Sequence, residues 1–98
     1  MRRTEAITKL EAYGPAVKAL GATSLYLYGS TLRDEAGAGS DLDLFIDYDP
    51  ASRFNAFDLI GIKLLLEDKL HARVDVTTRD GLHPRLRRDI EQSAIRVF

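Results

Sequence analysis

Apolar and polar residues alternate in two rhythms along this chain, and the switches between them divide it into short helices and short strands. Residues 4–12 set Ile7 and Leu10 at helical spacing with charges opposite, which predicts an amphipathic helix. Gly14-Pro15 interrupts it, because proline lacks the N–H that a helix interior needs, and Pro15 starts a second helical segment ending at Gly21. Residues 24–28 are aromatic and apolar on both faces, as a buried strand is, and they stop at Gly29-Ser30. Thr31 to Arg33 reads as a helical turn, and residues 34–40, with Gly37 and Gly39, as a loop. Residues 41–48 alternate as a strand, with Leu42, Leu44 and Ile46 on one face and Asp41, Asp43, Phe45 and Asp47 on the other.

Asp49-Pro50 ends that strand, and Asn55 with Asp58 forms a capping-box pattern for a helix running to about Leu70. Within it Phe57, Ile60 and Leu64 make one apolar row that Leu59, Ile62 and Leu66 widen, so this helix is expected to pack against much of the core. Residues 73–78 predict a third strand, with Val74 and Val76 on one face and Asp75 on the other. His83-Pro84 opens a last helix in which Leu86 and Ile90 line up at i, i+4. The succession predicts an α/β (α+β) fold: a small mixed sheet of three to four strands with helices packed on one face.

At 98 residues the chain is expected to form one domain spanning residues 1–98, with a single core. Fourteen basic and fifteen acidic side chains give a net charge of -1, which argues against a main role in nonspecific nucleic-acid or membrane-surface binding. The absence of cysteine excludes disulfides, thiolate metal sites and a cysteine nucleophile. The charged N-terminus lacks the apolar run of a signal peptide. Residues 19–32, the longest uncharged stretch, fall short of the ~20 apolar residues of a membrane span. A cytoplasmic location is expected. The apolar coverage of residues 54–70 and the aromatic C-terminus at Phe98 exceed what so small a domain easily hides, so association with a partner or with itself is expected as well.

Asp41 and Asp43 stand two apart on a strand, so both carboxylates project from one face and repel each other unless a cation lies between them. Asp75 is a third carboxylate on a separate strand, and if the strands are neighbours the three converge. Mg²⁺ takes such hard oxygen ligands, and three carboxylates can hold two ions ~3.5–4 Å apart for in-line displacement at phosphorus. Against this, acids on a half-exposed strand are usually a solvated face, the reading that fits Asp47 and Asp49. Gly29-Ser30 falls where a strand ends and a helical turn begins, so backbone N–H groups and a hydroxyl can meet phosphate oxygens there.

Other motifs fail. A calcium loop starting at Asp41 would need glycine and glutamate where Ile46 and Ser52 stand. Gly37-Ala38-Gly39 leads to Leu42 rather than a third glycine, and there is no Gly-Lys-Ser/Thr of a phosphate-binding P-loop. His71 and His83 read as capping or surface residues. Arg85, Arg87 and Arg88 form a basic cluster that is a solvated face unless it meets an acidic partner or nucleic acid.

Gly29-Ser30, ten intervening residues and Asp41-Leu42-Asp43 resemble the signature of the DNA polymerase beta nucleotidyltransferase superfamily. The lead-in Leu25-Tyr26-Leu27-Tyr28, the block from Ser40 to Leu44, Val74-Asp75-Val76, Asp49-Pro50 with Phe54 and Phe57-Asp58-Leu59, and His83-Pro84-Arg85-Leu86 extend the resemblance over essentially the whole chain. They resemble the minimal nucleotidyltransferases, short prokaryotic members often paired with a HEPN-domain toxin. The resemblance implies the nucleotidyltransferase fold, two Mg²⁺ ions (or Mn²⁺) held by Asp41, Asp43 and Asp75, and ATP or another NTP as substrate. It implies that Asp75 also helps activate the acceptor hydroxyl, and that Gly29, Ser30, Arg33 and Ser40 contact the nucleotide. Thr31 and Asp34 depart from the Arg-Ala-Arg-Gly that often follows Gly-Ser in these proteins, whereas Arg33 matches its second arginine. The implied function is AMP transfer to a tyrosine of a HEPN toxin, by a type VII-like antitoxin in a hetero-oligomer. Two alternatives stand beside it: an antitoxin that only masks its toxin, and a nucleotidyltransferase acting on a small molecule.

Overall fold

The sheet of the computed structural model, which describes residues 1–33 and 41–98, is built from the three expected apolar runs and one short strand more. Strands β1 (Ala22–Tyr28), β2 (Leu42–Tyr48), β3 (Val74–Thr78) and β4 (Ile95–Arg96) lie in the order β3-β2-β1-β4. β1 is antiparallel to β2 and to β4, while β2 and β3 are parallel, so the sheet is mixed as expected. A parallel pair needs a crossover, and helix α4 (Ala56–Leu70) supplies it. Helices α1 (Arg3–Ala12) and α2 (Gly14–Ala19) precede β1, the single turn α3 (Gly29–Leu32) follows it, and α5 (Arg87–Ser93) precedes β4.

One side of the sheet is the core. Leu25 and Leu27 of β1, Leu42, Leu44 and Ile46 of β2 and Val74 of β3 form one buried cluster with Ala6 and Leu10 of α1, Val17 of α2, and Ile62, Leu66 and Leu70 of α4. Burial of these aliphatic side chains, each contributing roughly 1.5–3 kcal/mol, locks the strand register, because a one-residue slip would turn every leucine outward.

Helix α4 begins as expected. The Asn55 side chain accepts from the Phe57 N–H (2.9 Å) and the Asp58 N–H (3.4 Å), and Asp58 Oδ2 accepts from the Asn55 N–H (2.9 Å). Its buried face corrects the sequence expectation. Ile62, Leu66 and Leu70 point into the core, whereas Phe57, Ile60 and Leu64 are 83%, 50% and 58% exposed. An α-helix apolar on several sides offers more than one stripe, and the sheet selects the one that follows the i, i+4, i+8 ridge from Ile62. Phe57, Ile60 and Leu64 thus form an uncovered apolar row.

Three further differences concern the C-terminal part and β2. Regular helix α5 starts at Arg87 rather than at His83-Pro84. Residues 83–86 form a turn in which His83 O accepts from the Leu86 and Arg87 N–H groups (2.9 Å each), leaving Leu86 exposed. Phe98 is engaged rather than free, since its ring lies against Gly14 and under Lys18 Nζ (4.9 Å) while Leu25 N–H donates to its carbonyl (3.1 Å). Phe45, on the face opposite the leucines, is completely buried. It stacks on Tyr26 (4.7 Å, 13°) beneath the Arg79 guanidinium, 5.0 Å from both ring centroids. The two histidines sit at element ends: His71 caps α4 in the left-handed conformation (φ 51°), and the exposed His83 accepts at Nδ1 from the Arg85 N–H (3.2 Å) within the turn before α5.

Candidate active site

The face of the sheet opposite the core carries the candidate chemistry. Tyr28 of β1 is the register partner of Asp43 in β2, and Asp43 is in turn the partner of Asp75 in β3. Side chains at paired positions project from the same face, on strands ~4.8 Å apart, so the Asp43 carboxyl lies between the phenol and the second carboxyl. Asp41 stands just ahead of β2 and is exposed.

Where β1 ends, the chain turns sharply into α3 at Gly29 (φ 79°). A β-carbon at this position would overlap Asp43 Oδ2 and lie 3.0 Å from its Cγ. Only glycine accepts both the left-handed backbone and this close approach. Ser30 is half-buried in the first turn of α3. Thr31, at the position where the minimal nucleotidyltransferases often have arginine, is buried. Arg33 closes the turn by donating its N–H to Gly29 O (3.3 Å), and Arg3 Nη1 donates to Leu32 O (3.4 Å), tying α1 to the end of α3. Ser40 lies outside the described residues.

Electrostatics follow from this crowding. The Asp43 carboxyl is raised above the usual aspartate range, first by burial and then by the charges of Asp75 and Asp41, with Arg33 pulling the other way. Burial, with Asp43 and Asp75 behind it, pushes the Tyr28 phenol up to about 12. Its hydroxyl therefore stays protonated and able to donate. Tyr28 was legible only as part of a strand, because its place beside the carboxylate depends on how β1 and β2 pair.

The structure brings Gly29, Asp43 and Asp75 together, with Asp41 and Arg33 near enough to act on Asp43 through their charges. Among the described residues no three acidic or histidine side chains stand close enough to form a ready-made metal cluster. The donor set nevertheless suits a hard divalent cation: it is all carboxylate oxygen, and burial first, then its like charges, hold one member's pKa up. Asp41, Asp43 and Asp75 are the residues that would hold it.

The other end of this face is closed. Arg79 donates to both oxygens of Asp47 (2.8 and 2.9 Å) and to Glu91 Oε2 (2.7 Å), and Arg87 Nε donates to Glu91 Oε1 (2.9 Å). Asp47 is therefore an ion-pair partner rather than a solvated acid, while Asp49 is a turn residue that accepts from the Ala51 N–H (2.9 Å). A cavity of about 240 Å³ between Tyr48, Phe54, Leu59 and Thr78 lies beyond the C-terminal ends of β2 and β3, away from the carboxylates.

Residues 11–97 match the sequence profile of the nucleotidyltransferase domain. Two candidate protein adenylyltransferases of Methanocaldococcus jannaschii, MJ0126 and MJ1217, are each 34% identical over 76 residues, covering 76% of this chain and 74% of theirs. A solved structure described as a candidate minimal nucleotidyltransferase superposes with a TM-score of 0.81 at 34% identity, covering 97% of this chain and 95% of that one. A toxin-antitoxin crystal structure with AMP-PNP shares the fold at a TM-score of 0.71 and 15% identity, over 90% of this chain and 72% of that one. Among the described residues, no helix is long and apolar enough to cross a membrane.

Proposed function

This chain belongs to the nucleotidyltransferase domain family, and on that premise we propose that it transfers AMP from ATP to a tyrosine hydroxyl of a HEPN-domain toxin, as the antitoxin of that pair. The observation that carries the site assignment is the packing of Gly29 against Asp43, with Asp75 in register beside it. The glycine turn lets the Asp43 carboxylate seat against the start of α3, where backbone N–H groups can meet phosphate oxygens.

In this reading the acceptor oxygen attacks the α-phosphorus, the bond to the bridging oxygen breaks, and pyrophosphate leaves. Asp75, exposed on the edge strand, takes the hydroxyl proton. Gly29 and Ser30 receive the outer phosphates, Arg33 neutralises part of their charge, and Ser40 contributes from the loop. Asp41, Asp43 and Asp75 would hold Mg²⁺, which when bound supplies Lewis-acid stabilisation of the phosphate charge. Positioning and charge compensation account for the catalysis.

The names of the relatives support a protein acceptor. So does the uncovered row Phe57, Ile60 and Leu64, a surface that a second protein can bury. The same row favours a second reading, in which the chain neutralises its toxin by covering it without turnover. Intact-mass spectrometry of the HEPN protein after incubation with this chain, ATP and Mg²⁺ separates the two. Catalysis adds one nucleoside monophosphate to a tyrosine and fails with Asp43→Asn; masking leaves the mass unchanged.

A further inference from the structure

We infer that Glu67 is a positioning residue for the carboxylate site, an inference that rests on the function proposed above. Glu67 lies on α4, half-buried, one helical turn before the helix ends at Leu70. Its Oε2 accepts from the Val74 N–H at 3.1 Å, across the tight return from α4 into β3. On the other side of the same peptide unit, the Arg73 carbonyl accepts from the Leu42 N–H at 2.9 Å. The N–H and C=O of one trans peptide point in opposite directions, so this single group is gripped from both ends.

The two ends matter because of their neighbours. Leu42 stands between Asp41 and Asp43, and Val74 immediately precedes Asp75. The chain of bonds from Glu67 through the Arg73–Val74 peptide to Leu42 therefore fixes how far β3 is advanced along β2. That setting determines whether Asp75 stands level with Asp43. A carboxyl oxygen accepting from the N–H also polarises the peptide and strengthens its carbonyl as a partner for Leu42. Among the described residues β3 is at the sheet edge, with β2 its only strand neighbour. Among the described residues no second strand restrains its first residue, and α4 does so through this carboxylate. In this proposal Glu67 acts on the reaction through Asp75.

Amide hydrogen exchange and steady-state transfer kinetics on the whole chain test this with Glu67→Ala and Glu67→Gln. In Glu67→Ala the Leu42 amide should exchange at least about tenfold faster, while that of Ile46, four residues along the same strand, keeps its wild-type rate. The kcat should fall about tenfold, the loss expected when an outer-shell support is removed, with KM for ATP changed less than about threefold. Glu67→Gln keeps an acceptor oxygen and should restore both within about threefold. The inference is overturned if Leu42 and Ile46 accelerate together, which marks general loosening, or if Leu42 does not change. It is equally overturned if glutamine is as damaging as alanine, or if kcat is unaffected. Should the wild-type protein transfer no nucleotide, the proposed function falls by itself, and the exchange ratio of Leu42 to Ile46 then decides the role of Glu67 alone.

Discussion

Gly29 and Asp43 are packed so closely that no residue with a β-carbon fits at position 29 without displacing the carboxylate. Gly29→Ala is therefore expected to act twice. The left-handed backbone costs about 1–2 kcal/mol with alanine, and the added methyl pushes Asp43 out of line with Asp75. Circular dichroism should show a folded protein with a lowered Tm, and transfer activity should fall by about a hundredfold or more. A fully active Gly29→Ala variant would remove Gly29 from the site.

Stability without ligand should rise when the central carboxylate is neutralised. Asp43 has a raised pKa in the folded chain, through burial first and then Asp75 and Asp41. On raising the pH through the aspartate range, the unfolded chain ionises this group before the folded one does, so at neutral pH the charge on Asp43 disfavours folding. Asp43→Asn should thus raise Tm at pH 7, with the gain disappearing near about pH 3, where the aspartate is protonated in both states. Thermal melts of the two proteins across that range measure the crossover. A gain that persists undiminished at low pH would mean that charge is not its source.

The network at the closed end of the face has the opposite sign. Arg79 holds Asp47 and Glu91 below the usual carboxylate range by hydrogen bonding to both. Their contribution is present above the ordinary carboxylate pKa and is lost as pH falls through the depressed values. Arg79→Met should lower Tm at neutral pH by about 5 °C, the change that ~1 kcal/mol makes in a domain of this size. The variant should also show less acid destabilisation than wild type between about pH 5 and pH 3. Parallel acid profiles would place the stabilising role of Arg79 in its packing over Tyr26 and Phe45 alone.

The exposed row on α4 gives a binding prediction. Phe57→Ser with Leu64→Glu alters side chains that pack against nothing in the core, so Tm should move by only a few degrees. The pair should nevertheless cost at least tenfold in affinity for the proposed HEPN partner, read by isothermal titration calorimetry. Unchanged affinity would show that the partner docks elsewhere.

How much of this was legible in the sequence follows from the kind of signal each element carries. The alternation of β2, the capping box at Asn55 and the break at Gly14-Pro15 are local, and local sterics and hydrogen bonding dictate them directly. Asp43 and Asp75 were legible as candidates, because period-two alternation turns both away from the leucines and valines. Their adjacency was not, since it depends on α4 bringing β3 alongside β2. The outward row of α4 is not legible, because Phe57, Ile60 and Leu64 are as apolar as the buried Ile62, Leu66 and Leu70. Only tertiary packing chooses between two such stripes. The sequence allows for a fourth strand, but its place is not legible there: two residues carry no periodicity, and Ile95–Arg96 becomes a strand only by pairing with β1.

The central claim is that this face of the sheet moves a nucleotidyl group, and the position of the label on ATP tests it most directly. The chain is incubated with Mg²⁺ and the HEPN-domain protein proposed as its partner, once with ATP labelled on the α-phosphate and once with ATP labelled on the γ-phosphate. The account predicts α-label on a tyrosine of the partner, γ-label only in released pyrophosphate, and loss of transfer in Asp43→Asn and Asp41→Asn. Replacement of Ser30 by alanine should weaken the reaction less, since it removes one phosphate contact among several. Label from the γ-position on the partner, or α-labelling that survives loss of both aspartates, would contradict it.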